Sequence, residues 1–137
     1  MNDYPVLRQT VLDTTDARGL AEFYRGLLGL VYRPGDEPPT DGGDDDAEWL
    51  VLHHRDGSAA LALQQTSGIT PTTWPDADVP MQLHLDMSVP DLAALRRHRD
   101  RALELGGRLV LDRSDDPGEP VFVIADPAGH PFCLFVG

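Results

Sequence analysis

His84 and Asp86 stand two residues apart in the segment QLHLDMSV, so on an extended strand they project from one face, about 6–7 Å apart along the chain. An imidazole beside a carboxylate serves two kinds of chemistry. It can ligate a divalent ion or move a proton, with the carboxylate as helper; or the pair can line a polar pocket, Asp86 fixing the tautomer that His84 presents to a ligand. Both readings stand on the residues alone. Cys133 is the single cysteine and lies between Phe132 and Leu134, which reads first as a small buried apolar side chain. A nucleophilic role would require a lowered pKa and a nearby base, for which His84 is the candidate. Trp74, flanked by Thr73 and Pro75 in a loop, reads as a hydrophobic plug or as a pocket lid. His53 and His54 are adjacent and would point to opposite sides of a strand. His130, in the turn DPAGHP, is expected to satisfy turn backbone groups.

The elements that must hold these groups occur twice. Residues 7–30 and 82–107 each run a short alternating segment, an acidic residue, an amphipathic stretch and a glycine stop, with Gln9 seven positions before Asp16 and His84 seven before Asp91. Two tandem modules follow from that repetition. In the first, residues 7–13 alternate as a strand with Leu7, Gln9, Val11 and Asp13 on one face. Thr15 or Asp16 caps a helix from Ala17 to Leu28 whose stripe is Leu20, Phe23, Tyr24, Leu27 and Leu28, and Gly29 stops it. Phe23 is read as core, and Tyr24 as reaching a sheet neighbour or a subunit contact. Leu30 to Arg33, Trp49 to His54 and Ala59 to Gln65 read as strands, the last two a hairpin turned by Asp56-Gly57. In the second module, strands over Met81–Val89, Arg108–Leu111, Val121–Ala125 and Phe132–Val136 accompany a helix opened by Pro90-Asp91, with Leu92, Leu95, His98, Ala102 and Leu105 on its buried side. The predicted organisation is one domain: module one over about 6–66, a turn-rich connector over 67–80, and module two over about 81–137. The fold class is α+β, two βαβββ modules.

At 137 residues such a chain buries about 68–70% of its unfolded surface, enough for a core without disulfides, which a single cysteine cannot form within the chain. The formal charge is −12, from 11 Lys+Arg against 23 Asp+Glu, so nucleic acid and anionic membrane are excluded as partners by repulsion. No apolar run reaches the roughly 20 residues of a membrane span, and MNDYPVLRQ is not a signal peptide; a cytoplasmic protein is expected. Seven of the carboxylates crowd into GDEPPTDGGDDDAE, from Gly35 to Glu48; Asp44, Asp45 and Asp46 are oxygen donors that a calcium loop could use, but the ligand spacing of an EF-hand is absent, so the segment reads as a solvated, partly mobile loop. The basic run Arg96, Arg97, His98, Arg99 and Arg101 is interleaved with Asp100 and Glu104 and reads as the solvated face of a helix.

The paired modules, together with FYRGLLGL ending at Leu30, HLDMSVPDL from His84 and ADPAGHPFCL from Ala125, resemble the glyoxalase/bleomycin resistance/dioxygenase superfamily, also called vicinal oxygen chelate proteins, and in particular its actinobacterial glyoxalase-like domain branch. The likeness covers nearly the whole chain. It implies that the curved mixed sheets of the two modules form a cup, that subunits pair as a homodimer, and that metal-using members hold a divalent ion with one side chain from the first and one from the last strand of each module. Those places fall on Gln9 and His84, on Gln64 or Gln65, and on Cys133, where metal-using relatives usually carry glutamate.

As a metal set this is incomplete: two amides, an imidazole and a thiol offer a hard ion little charge, unless Asp86 or Asp13 supplies a carboxylate. A divalent metal is therefore not the favoured cofactor. The favoured reading is a protein that binds a small organic molecule in the cup, like the antibiotic-sequestering relatives, using Gln9, Gln64, Gln65, His84, Trp74 and Cys133. The alternatives are a metal-dependent lyase, isomerase or dioxygenase with His84 and Asp86 catalytic, and a non-catalytic interaction module that uses only the fold.

Overall fold

The computed structural model describes residues 3–137. The chain divides into two compact units, the first ending at Ser67 and the second spanning Gly68–Gly137. Each carries the same run of elements. In the first, β1 (Thr10–Thr14), α1 (Ala17–Leu28), β2 (Val31–Tyr32), β3 (Trp49–His53) and β4 (Ala59–Gln65) build an open four-stranded sheet in the order β1-β4-β3-β2. In the second, β5 (Leu85–Val89), α2 (Leu92–Glu104), β6 (Arg108–Arg113), β7 (Val121–Ala125) and β8 (Pro131–Val136) repeat it as β5-β8-β7-β6. Both sheets are mixed: β1 lies parallel to β4 and β5 to β8, and the other neighbours are antiparallel. The duplication expected from the sequence is thus present as two four-stranded mixed sheets with two helices, an α+β fold.

In the first unit Asp16 caps α1, its carboxylate accepting from the Gly19 amide at 2.9 Å, and Gly29 ends it in the left-handed region at φ 67°, where a side chain would be strained. Leu20, Phe23, Tyr24 and Leu27 are buried, each large apolar side chain contributing about 1.5–3 kcal/mol. Leu28, expected in the same stripe, is 39% exposed. Tyr24 is fully buried with its ring edge-on to Phe23, so it is a core residue and not a subunit contact.

In the second unit Asp91 caps α2 through the Ala94 amide at 2.8 Å. Its buried residues are Ala94, Leu95 and Ala102, whereas Leu92 and Leu105 are exposed and His98 only half-buried. The expected stripe is displaced because the two leucines sit at the first helical position and the C-cap, while small alanines take the contact with the sheet. Two strands begin later than their alternation suggests, at Thr10 instead of Leu7 and at Leu85 instead of Met81. Pairing decides this: Thr10 faces Leu61 and Leu85 faces Phe132, close to where β4 and β8 start, and without a partner strand backbone groups have no ladder to join.

The acidic loop forms no regular element but is tethered. Arg18 donates through Nε to Asp45 at 2.6 Å and through Nη1 to the Asp36 carbonyl at 2.6 Å, its guanidinium lying 5.0 Å from the centre of the Tyr32 ring. The Asp36 carboxylate in turn accepts from the Val51 amide of β3 at 2.9 Å. In the DPAGHP turn the buried Asp126 carboxylate accepts from the amides of Ala128 and His130, while the His130 carbonyl accepts from the Asp126 amide; His130, expected to satisfy turn backbone groups, shares that work with Asp126.

A candidate site on the second sheet

α2 covers one face of the second sheet through Phe132, Leu134, Phe122 and Ile124, all buried. Strand alternation sends the intervening residues to the other face. There, Asp86, Cys133, Val123 and Leu111 form one row across the four strands, followed by a row of Ser88, Phe135, Val121 and Arg113. These rows, Ser88 apart, floor a recess of about 370 Å³. Trp74 from the connector, His84 ahead of β5, and Asp116 and Glu119 from the β6–β7 loop complete its lining.

His84 Nε2 lies 3.2 Å from Asp86 Oδ1, so the pair read from the sequence is formed. The structure adds Cys133: one donor atom from each of His84, Asp86 and Cys133 lies within 4.8 Å of the others. Burial pushes the Cys133 thiol above its ordinary pKa, and the Asp86 carboxylate, to which it hydrogen-bonds, and that of Glu119 raise it further. A thiol held neutral is the reverse of an activated nucleophile, and Cys133, half-buried, lines the recess instead of packing inside the core. The lining carries Asp86, Asp116 and Glu119 against the single guanidinium of Arg113, so its potential favours neutral or cationic guests.

In the first unit the two glutamines have different surroundings. Gln65 Oε1 accepts from the Ala17 amide at 2.8 Å and its Nε2 donates to the Thr15 carbonyl, which spends both ends of the amide at the start of α1. Gln64 points to the opposite face, exposed, in register with Asp13 of β1 and Trp49 of β3. Gln9 is half-buried and precedes β1 by one residue.

The family model of the glyoxalase-like domain matches residues 9–135. The chain belongs to the glyoxalase-like domain family. Solved structures agree on the fold of this glyoxalase-like protein. A possible glyoxalase from Bacillus cereus is 15% identical with a TM-score of 0.64, covering 95% of this chain and 97% of its own. A glyoxalase-related enzyme from Fulvimarina pelagi is 18% identical with a TM-score of 0.67, covering 98% and 89%. The fosfomycin resistance protein FosX from Mesorhizobium loti is 14% identical with a TM-score of 0.66, covering 100% and 94%. No curated protein matches the sequence. At these identities the likeness establishes fold and leaves the chemistry to the site.

As a test of the metal that the superfamily implies, the second sheet of this glyoxalase-like protein offers nitrogen, oxygen and sulfur donors at close range. That set suits a borderline ion such as zinc better than magnesium or calcium, which prefer oxygen throughout. Among the described residues this is the close cluster of such donors; the aspartates of the acidic loop form none. No described helix is long and apolar enough to cross a membrane.

Several lining residues lay outside the sequence reading: Arg113, Asp116, Glu119, Leu111 and Phe135. Alternation along β6, β7 and β8 was the available signal for Leu111, Arg113 and Phe135. Asp116 and Glu119 lie in a loop, where no period applies.

Proposed function

We propose that this glyoxalase-like protein binds a small organic molecule, neutral or cationic and bearing an apolar ring, in the recess on its second sheet. The observation that carries the reading is the recess itself: an apolar floor of Leu111, Val121, Val123 and Phe135, with His84, Asp86 and Arg113 as directing polar groups and Trp74 at its wall. Its volume lies within the roughly 300–1,000 Å³ of small-molecule sites, which pair an apolar lining with a few polar anchors. Trp74 offers a flat face for a ring, and the excess of carboxylates selects against anions.

The proximity of His84, Asp86 and Cys133 favours a second reading, a metal-dependent lyase, isomerase or dioxygenase. A divalent ion, if held there by His84, Asp86 and Cys133, would polarise substrate oxygens; without an ion, the His84–Asp86 pair itself would accept or return a proton.

A thermal-shift panel of paired ring compounds, each as an amine, a neutral amide and a carboxylate, tests the binder. A true ligand at about 100 times its Kd stabilises the fold by about 2.7 kcal/mol. We expect amine or amide to outrank carboxylate, and Trp74→Ala to abolish the shift. A flat response across the panel would reject the reading and favour an interaction module.

A further inference from the structure

We propose that Thr72 and Thr73 are positioning residues: their hydroxyls clasp the connector at Val79 and hold the Trp74 ring as a fixed wall of the recess before any ligand arrives. The loop that carries Trp74 belongs to no strand or helix, so its backbone groups need partners of another kind. They find them at Val79. The Thr73 amide donates to the Val79 carbonyl at 3.0 Å, and the Val79 amide donates back to Thr73 Oγ1 at 2.8 Å. Thr72 Oγ1 donates to the same carbonyl at 2.6 Å and accepts from the Trp74 amide at 3.1 Å. That hydroxyl joins the backbone of Trp74 directly to the neck of the loop. The Asp76 amide donates to the Thr73 carbonyl at 2.8 Å, closing a turn with Trp74 and Pro75 at its centre.

Both ends of the loop lead to fixed structure. On one side Pro71 packs on the DPAGHP turn, so closely that a Cβ on Gly129 would stand 2.7 Å from Pro71 Cβ. On the other, His84 follows Val79 by five positions and the chain then enters β5. Trp74 and the His84–Asp86 pair thus line one recess from a single continuous stretch, and the clasp sets the spacing between them. A short loop joined at its neck costs little chain entropy to close, and compact loops of this kind commonly carry function. An indole held in advance offers its flat face without the ordering cost that a mobile side chain incurs on binding. Thr73 is exposed and Thr72 half-buried, so losing either hydroxyl acts locally and leaves the rest of the unit folded. The inference rests on the recess being the ligand site, but its test needs no ligand, so an empty ligand screen and a loose Trp74 are separate results.

In a Trp49→Phe background of the full chain, Trp74 is the one indole, and its acrylamide quenching and time-resolved fluorescence anisotropy are measured. We expect an anisotropy that decays with the tumbling of the whole protein. Thr72→Val, which keeps the shape and removes the hydroxyl, should add a fast component and raise the quenching constant about twofold, as a half-covered ring is released. Thr73→Val should act in the same direction, and Thr72→Ser, which keeps the hydroxyl, should return both readouts to those of the parent. The urea midpoint should match the parent throughout; a midpoint that falls would mark the threonines as supports of the whole unit, against the proposal. A second readout retains Trp49. Cys133, the only cysteine, lies on the floor of the same recess, and Thr72→Val should speed its alkylation by iodoacetamide at least about twofold, as the wall opens. A freely rotating Trp74 in the parent, quenching unchanged in both valine variants, Thr72→Ser as loose as Thr72→Val, or alkylation indifferent to Thr72→Val would each overturn the proposal. The anisotropy of the parent needs no change in the loop, so a misfolded variant cannot shield it.

Discussion

Replacing Gln65 by alanine should cost far more stability than replacing Gln64, although the two are adjacent on one strand. Gln65 accepts from the Ala17 amide at 2.8 Å and donates to the Thr15 carbonyl. The Ala17 amide opens α1 and so has no partner within the helix, and Ala17 is only 1% exposed, so water replaces the lost acceptor poorly. Two hydrogen bonds at about 0.5–1.5 kcal/mol net each place Gln65→Ala at about 1–3 kcal/mol. For a chain of this size that lowers Tm by about 3–10 °C. Gln64→Ala should stay within about 0.5 kcal/mol, as for an exposed position. Gln65→Glu keeps the acceptor, loses the donor and sets a charge beside the Thr15 carbonyl, so it should fall between wild type and alanine or match the latter. Urea unfolding followed by circular dichroism, with equal slopes across the set, gives the comparison. Equal costs at the two positions, or the larger cost at Gln64, would refute the assignment of Gln65 to the helix start and return it to the candidate ligand groups.

Burial, followed by the neighbouring Arg97 and Arg101, pushes the His98 imidazole below its ordinary pKa. The folded chain therefore resists protonation there. The associated stability is fully present above the ordinary histidine value and is lost as pH falls through the lowered one; His98→Gln should lose less stability than wild type between pH 7 and about pH 5, read as urea midpoints. Identical acid sensitivity would contradict this. Arg18→Ala removes the ties to Asp45 and the Asp36 carbonyl, so limited proteolysis should cut the 33–48 segment faster, with little change in the second unit; unchanged cleavage would show that the tether is dispensable. Gly129 holds φ +97°, and a Cβ there would stand 2.7 Å from Pro71 Cβ. Gly129→Ala should accordingly destabilise by about 1–3 kcal/mol in the same urea assay.

Local pattern alone marked both modules, their helix starts at Thr15 or Asp16 and at Pro90-Asp91, the stop at Gly29 and the His84–Asp86 pair, because each is written in near neighbours: a period of two or of 3.6, a short polar side chain before an apolar stripe, a glycine after it; only the folded chain chose Asp16 over Thr15. The superfamily likeness also rested on contiguous stretches, and the match over residues 9–135 agrees with it. Other features depended on which strands lie side by side. Register joins Asp86 to Cys133, Val123 and Leu111 in one row, an adjacency between residues up to 47 positions apart in the chain. Pairing also starts β1 at Thr10, and the closeness of the end of β4 to the start of α1 sends Gln65 to a backbone amide while Gln64 keeps the open face. Propensity and period are properties of a segment; a row across a sheet, and the thiol pushed upward by a carboxylate on the neighbouring strand, exist only once the chain has folded back on itself.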